Sequence, residues 1–285
     1  MNRQLQQLFD HLDLESVDDN LFQTKFGNEG WRQIFGGQVL AQALLSASRT
    51  VDAERQPHSL HAYFLRPGDK KAPIQFQVDR LRDGKSFTTR RVTAIQHGAA
   101  ILNMAASFQV SEPGLSHQIP MPEVPPPQDC LTRAQLAEKY RDTMPEELYT
   151  RASRPFAIDL RPVEPENLMA SEVRPPLRMV WLKLNDTLPA DYPWHQHMLA
   201  YASDMTLLET SLRPHGVSMF TSNLQIASLD HSMWFHRPFR MDEWLLYVQD
   251  SPAASGARGF SRGSIFKESG ELVVSVAQEG LIRLR

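Results

Sequence analysis

Moved along by 171 positions, the chain lies over itself. Phe64-Leu65-Arg66-Pro67 falls on Phe235-His236-Arg237-Pro238, Ile74 and Phe76 on Leu245 and Tyr247, Asp79 on Asp250, Arg91 on Arg262, and Ala106 on Ala277. Each match is weak alone, but one offset held for about fifty residues without a gap points to duplication. A duplicated chain of 285 residues is expected to form two units of ordinary size.

Each half reads in the same order. In the first, a strand-like start from Leu21 to Phe26 leads to Phe35-Gly36-Gly37-Gln38, then to a helix through Val39, Leu40, Ala43, Leu44 and Ala47, whose apolar positions recur at three and four. Strands follow at His58–Leu65, Ile74–Leu81, Phe87–Gln96 and Ala100–Val110, punctuated by Arg66-Pro67-Gly68-Asp69, Asp83-Gly84 and His97-Gly98. The second half predicts a strand at Leu177–Leu184, a helix over Trp194–Leu212, and strands at Gln225–His236, Glu243–Asp250, Arg258–Lys267 and Leu272–Arg283. One helix followed by a long antiparallel meander has to bury that helix against the concave face of the sheet. The expected fold is therefore α+β, two tandem hotdog units, over 1–112 and 177–285. Between them the prolines at 113, 120, 122, 125, 126 and 127 mark a linker. A helix from Thr132 to about 150 and an irregular stretch to Pro176 complete a connection over 113–176, expected to wrap on the surface.

Composition narrows the function. Apolar residues make up 41 % and charged residues 22 %, enough for a packed core, and the net charge of −3 argues against a nucleic-acid binder. Cys130 is the only cysteine, so no intramolecular disulfide forms, and it reads as an incidental thiol. The opening Met1-Asn2-Arg3-Gln4 has no apolar signal region and no 18-residue apolar run occurs, so a cytoplasmic protein with no membrane partner is expected. There is no G-x-S-x-G elbow, H-E-x-x-H, zinc-spaced Cys/His cluster, P-loop or dinucleotide fingerprint. No metal or cofactor is expected. Gly36-Gly37 reads first as a tight helix entry, although the N–H groups there suit a carbonyl or phosphate. Hydrolysis in such a chain would have to use water activated by side chains.

Three polar residues then stand out to different degrees. Asp204 has Ala200, Tyr201, Leu207 and Leu208 at three and four residues either side, which places its carboxylate on the buried stripe of the predicted helix. A buried carboxylate is costly unless hydrogen-bonded, and Asp is a poor mid-helix residue. Gln278 follows Leu272, Val274 and Val276 on one strand face, and points to the interior unless the strand has frayed there. Ser228 shares a predicted face with Asp230, Ser232, Trp234 and His236, and pattern alone does not single it out. The repeat supplies a control. At the same shift Gln278 falls on Ser107 and Ser228 on Pro57, while aligning Leu40-Ala41 with Leu199-Ala200 puts Asp204 over Leu45. The first half lacks all three groups, so any chemistry belongs to the second.

The blocks Phe35-Gly36-Gly37-Gln38-Val39, His61 to Asp69, Tyr201-Ala202-Ser203-Asp204, Asp230 to Phe239 and Gln278-Glu279-Gly280 resemble acyl-CoA thioesterase II, a bacterial double-hotdog family with peroxisomal eukaryotic relatives. The resemblance runs over essentially the whole chain. It implies a catalytic Asp on the second helix, matched by Asp204, a Gln on the last strand, matched by Gln278, and a hydroxyl residue, usually Thr, at the position of Ser228. The hydroxyl is kept and the methyl is not, which loosens the rotamer because Thr is stiffer at χ1. His58 is similar to a family histidine suspected of catalysis, and at a strand start reads as structural. The resemblance further implies an acyl-CoA substrate, no cofactor, and assembly to a tetramer. In that mechanism Asp204 takes a proton from water while Gln278 and Ser228 hold it in line with the thioester carbonyl. Met198, Met205, Leu207 and Leu208 are candidates to line an acyl tunnel between helix and sheet. Arg66, Arg90, Arg91, Arg258 and Arg262 are candidate phosphate contacts, none assigned. A hotdog enoyl-CoA hydratase or dehydratase, with an Asp–His pair, and a non-catalytic acyl-CoA-binding protein are the alternatives.

Overall fold

The computed structural model describes residues 1–25, 34–167, 169, 172–189 and 193–285. Helix α1 (Arg3–Leu12) is capped by Asn2, whose side chain accepts from the Leu5 N–H at 2.9 Å, and it buries Leu5, Phe9 and Leu12. Helix α2 (Gly36–Ser48) is buried at every position from Gly37 to Ala47, and α5 (His195–Ser203) buries six of its residues. A helix apolar on nearly every side has to be enclosed. Here α2 and α5 pack on each other and one sheet wraps both.

The strands, in chain order, are β1 (Leu14–Asp18), β2 (Leu21–Thr24), β3 (Arg55–Phe64), β4 (Gln75–Asp83), β5 (Phe87–Gln96), β6 (Ala99–Val110), β7 (Ile158–Pro162), β8 (Leu177–Leu184), β9 (Leu224–Ser228), β10 (Asp230–Phe235), β11 (Leu245–Ser255), β12 (Arg258–Lys267) and β13 (Leu272–Leu284). They form one antiparallel sheet ordered β1-β2-β4-β5-β6-β3-β10-β13-β12-β11-β8-β7, with β9 on β13. The halves join where β3 pairs with β10, and there His61 faces Ser232. Those two residues are also counterparts under the 171-residue shift. The pseudo-twofold axis therefore passes between them, and His61 Nδ1 lies 3.2 Å from Ser232 Oγ.

Matched ion pairs repeat across that axis. Arg91 Nε donates to Asp79 at 2.9 Å and Arg262 Nε to Asp250 at 3.0 Å. The gapless shift fails at the last strand. Ala94 faces Leu102, whereas its counterpart Ile265 faces Val274, 172 residues beyond Leu102. The β5–β6 turn closes on two residues with positive φ, His97 (51°) and Gly98 (73°), whereas the Lys267 N–H closes on Glu271 O at 2.9 Å, so the β12–β13 turn over 268–270 is one residue longer. Gln278 therefore lies over Ala106, not Ser107, and Ala277 over Ala105.

The predicted strand Gln225–His236 is two strands, broken at Leu229. Ser228 pairs with Gly280 and Ser232 with Ala277, so one extra residue enters between them. The first half carries the same irregularity, a register shift between Pro57 and Ser59. A bulge reverses the inward–outward alternation. Without it Ser228 would share the outer face of Ser232 and Trp234; with it, Ser228 turns inward alongside His231, Met233 and Phe235.

The connection is more ordered than its prolines predict. Thr132 caps helix α3 (Arg133–Lys139) in a capping box with Gln135, and Pro145 starts a separate helix α4 (Glu146–Ser153). The one predicted helix is thus two, because Pro145 has no N–H to continue a ladder. Within the stretch expected to be irregular, β7 adds an edge strand to β8 and ends on Pro162, a position an edge tolerates. Met121, Val124 and Cys130 cover the outer face of the second half, packing on Trp181, Leu246 and Phe266, and Trp181 Nε1 donates to Pro125 O at 2.9 Å. Phe26, predicted to end the first strand, lies outside the described residues, as do positions 168, 170 and 171 of the connection.

Candidate active site

Helix α5 stops earlier than its apolar spacing predicts. Ser203 Oγ folds back to within 3.0 Å of Ala200 O and the Met205 N–H closes on Ala202 O at 3.0 Å, tightening the chain into short turns. A 3₁₀ segment over Leu208–His215 follows. Residues three apart share a face in either helix type, so apolar periodicity runs on through the break. Asp204 is consequently the C-cap of α5 (φ −85°, ψ −2°) and not a mid-helix residue. Its side chain is 4 % exposed.

Three elements bring polar atoms to that carboxylate. Gln278, fully buried on β13, donates Nε2 to Asp204 Oδ1 at 2.6 Å and to Ser228 Oγ at 2.9 Å. Ser228, the last residue of β9, donates to the same Oδ1 at 3.1 Å. From the opposite side the N-terminus of α2 presents its Gly37 N–H. Phe35 provides no side-chain cap there, so the start of α2 directs the Gly37 N–H and the positive end of the helix dipole at the acid. Both glycines are needed for that approach. A Cβ on Gly36 would lie 2.7 Å from Asp204 Oδ2, and one on Gly37 would collide with Tyr201 O.

Burial pushes the Asp204 carboxyl up to about 6, opposed by the hydrogen bonds from Gln278, Ser228 and Gly37. Near neutral pH it is largely ionised, charged and poorly hydrated. A carboxylate of that kind is a competent proton acceptor. The Oε1 atom of Gln278 has no hydrogen-bond partner, leaving one acceptor beside the acid.

A fourth group was missed. His231 on β10 is fully buried, its Nε2 2.9 Å from Ser203 Oγ and its Nδ1 3.9 Å from Asp204 Oδ1. Burial drives its pKa down to about 3, so it is neutral. The signal was present in the repeat, since His231 falls on the core residue Leu60 at the 171 shift.

Other candidates are placed elsewhere. His58 occupies the bulge of β3 and meets Ser107 Oγ at 2.8 Å, away from the three. Met198, Leu207 and Leu208 are core residues; only Met205 lines an open cavity, of about 280 Å³. That cavity is lined by Met205 and Thr206, the two residues that follow Asp204 in the chain, and runs beneath the connection to Leu148, Ala152 and Phe156; the side chains of Asp204, Ser228 and Gln278 do not line it. Of the candidate phosphate contacts, Arg90 is buried on Thr50 and Asp83, Arg66 donates to Ala100 O, and Arg91, Arg258 and Arg262 pair with Asp79, Glu279 and Asp250. Among the described residues no group of three His, Cys, Asp or Glu side chains could hold a metal ion, and no helix is long and apolar enough to cross a membrane.

The chain is similar to known proteins along its length. Residues 27–109 match the family model of the acyl-CoA thioesterase N-terminal domain, and residues 149–281 that of acyl-CoA thioesterase. Acyl-CoA thioesterase 2 of Haemophilus influenzae is 40 % identical, covering 98 % of both chains. Human acyl-coenzyme A thioesterase 8 is 40 % identical over 96 % of this chain and 88 % of its own. The crystal structure of acyl-CoA thioesterase II TesB2 from Mycobacterium marinum superposes with a TM-score of 0.78 at 41 % identity, covering 98 % of each. A hot dog protein from Alicyclobacillus acidocaldarius keeps the fold, with a TM-score of 0.77 at 19 % identity. With two hotdog halves, a buried acid at one end, and relatives of this similarity along its full length, the chain belongs to the acyl-CoA thioesterase II family.

Proposed function

We propose that this acyl-CoA thioesterase hydrolyses fatty acyl-CoA by direct attack of one water, with Asp204 as general base and Ser228 and Gln278 as the groups that hold the acid and the water. The observation that carries the reading is the convergence of Gln278 Nε2 and Ser228 Oγ on Asp204 Oδ1, at 2.6 and 3.1 Å. A water donating one proton to Asp204 and the other to Gln278 Oε1 would present its lone pair to the thioester carbon. As the O–C bond forms, Asp204 takes the proton and the carbonyl oxygen becomes an oxyanion. The N-terminus of α2, which abuts the acid, would supply N–H donors for that charge. Collapse breaks the C–S bond, and the proton held by Asp204 goes to the departing thiolate. General base assistance contributes roughly 10² to 10⁴-fold, and each oxyanion donor roughly 10² to 10³-fold.

The acyl tail fits the cavity that starts at Met205, an apolar space of about 280 Å³ roofed by α3 and α4. Chain-length selection would then fall to the connection and not to the α5–sheet contact. The units 1–112 and 177–285, joined by 113–176, would then divide the labour, one as scaffold and one as site. Exposed Tyr63 and Trp234 on the outer face of the central strands favour assembly of double hotdogs into a tetramer, and a cytoplasmic setting suits a chain with one unpaired cysteine.

The reading is tested by quenching a single turnover in ¹⁸O-labelled water and weighing both protein and product. The expected result is labelled fatty acid with no acylated protein; an acyl adduct on Asp204 or Ser228 would refute direct attack. Lengthening the acyl chain past the cavity, or filling the cavity by Ala152→Phe, should lower kcat/KM for long chains more than for short ones.

A further inference from the structure

The buried polar set that distinguishes the two halves has a fourth member. Asp204, Ser228 and Gln278 lie over Leu45, Pro57 and Ala106, and His231 lies over Leu60, which is fully buried. A buried imidazole in place of a leucine is costly unless its nitrogens are used. Nε2 is used, at 2.9 Å from Ser203 Oγ. Nδ1 has no hydrogen-bond partner and points to the outside of Asp204 Oδ1, 3.9 Å away.

The tautomer of that ring follows from Ser203. Its hydroxyl has one proton and three acceptors in reach, Ala200 O at 3.0 Å, His231 Nε2 at 2.9 Å and the weaker Met233 Sδ at 3.5 Å. If Ser203 donates to Ala200, the imidazole proton resides on Nε2 and the Nδ1 lone pair faces the carboxylate. If Ser203 donates to Nε2, the proton resides on Nδ1 and its positive end faces Oδ1. An ionised Asp204 favours the second state, and in a dry site a dipole so close interacts strongly with the charge.

We propose that His231 is a positioning residue for the catalytic base, with Ser203 setting its tautomer so that Nδ1–H faces Asp204 Oδ1 and keeps that carboxylate ionised for turnover. The proposal rests on Asp204 being the base. Of the other titratable groups on the surrounding elements, only Tyr247 also feels the Asp204 charge, and it stays neutral. Tyr247 of β11 donates to Ser203 O at 3.2 Å; Asp230 of β10 accepts from the Glu279 N–H; Glu279 of β13 pairs with Arg258; Glu209, after α5, pairs with Arg178. On α5 itself His195 accepts from the Met241 N–H and His197 meets Ser48, and α2 carries no charged side chain.

The test is the pH profile of kcat/KM in full-length His231→Asn, His231→Gln and His231→Leu, with circular dichroism to confirm folding. Asn places an N–H near the position of Nδ1, Gln near that of Nε2, and Leu restores the residue of the other half. The acid limb should move up by about 0.5 units or more in the Gln and Leu variants, about a threefold loss of rate on the acid side relative to each variant's own alkaline plateau, and stay in place in the Asn variant. A limb unmoved in Gln and Leu, or moved equally in Asn, overturns the proposal. Should the Leu variant not fold, Asn against Gln decides alone. A parent enzyme with no acid limb would instead refute Asp204 as the base.

Discussion

The two ends of the helix pair are built alike and are chemically opposite. At one end the N-terminus of α2 meets Asp204 at the C-cap of α5, flanked by Ser228, Gln278 and His231. At the other the N-terminus of α5 meets α2 near Leu45, flanked by Pro57, Ala106 and Leu60, and there the side chain of Gln196 donates to Pro57 O at 3.2 Å. Both ends have the same bulge, the same strand pairing and the same outer ion pairs. The difference teaches that duplication supplied the frame twice, while the costly polar cluster is kept once. A buried acid destabilises its surroundings, so a second copy with no task would only weaken the fold.

That contrast can be broken by making the polar end resemble the apolar one. Gln278→Ala installs the residue of position 106 and removes the donor shared by Asp204 and Ser228. It should lower kcat by about 10²-fold with KM little altered, as expected for a group acting in the transition state; a steady-state assay of CoA release checks both constants. Gly36→Ala is expected to cost roughly 10-fold or more by displacing α2 from the acid, since the added methyl would press on Asp204 Oδ2 at 2.7 Å.

A smaller effect is thermal. The folded-state pKa of Asp204 lies above its unfolded value, at about 6 against 3.8. The native protein therefore binds more protons than the unfolded chain between those values, and its stability falls as pH rises through the window. The full cost is present above about pH 6 and is at most about 3 kcal/mol. The Tm of Asp204→Asn relative to the parent should thus be higher at pH 7.5 than at pH 4, by a few degrees; a difference independent of pH would show the carboxylate unperturbed. Least of all, Gln196→Ala at the apolar end should leave kcat within about twofold of the parent, and a large loss there would mean that end takes part.

Much of this was legible in the residues. A common offset exposed the duplication, and helix-then-meander order exposed the hotdog halves, because periodicity and turn chemistry are local. The register of β13 was not legible. Ala106 and Ala277 match in type, and only the paired strands reveal the extra residue in the turn before Leu272. The inward face of Ser228 was hidden for the same reason, since a bulge is a property of two strands and alternation along one cannot show it. Asp204 was found by an apolar neighbourhood that proved correct about burial and wrong about the helix, which was expected to reach Leu212 and ends at Ser203. His231 lay inside a block read for its resemblance; comparison with Leu60 would have drawn it out.

The central claim is that one buried, charged carboxylate at one end of the molecule activates water. Its most direct test is the turnover of purified, folded Asp204→Asn on an acyl-CoA saturating for the parent, read by thiol release. The account predicts a fall of at least about 10²-fold, with circular dichroism unchanged. Release of CoA at the parental rate would contradict it.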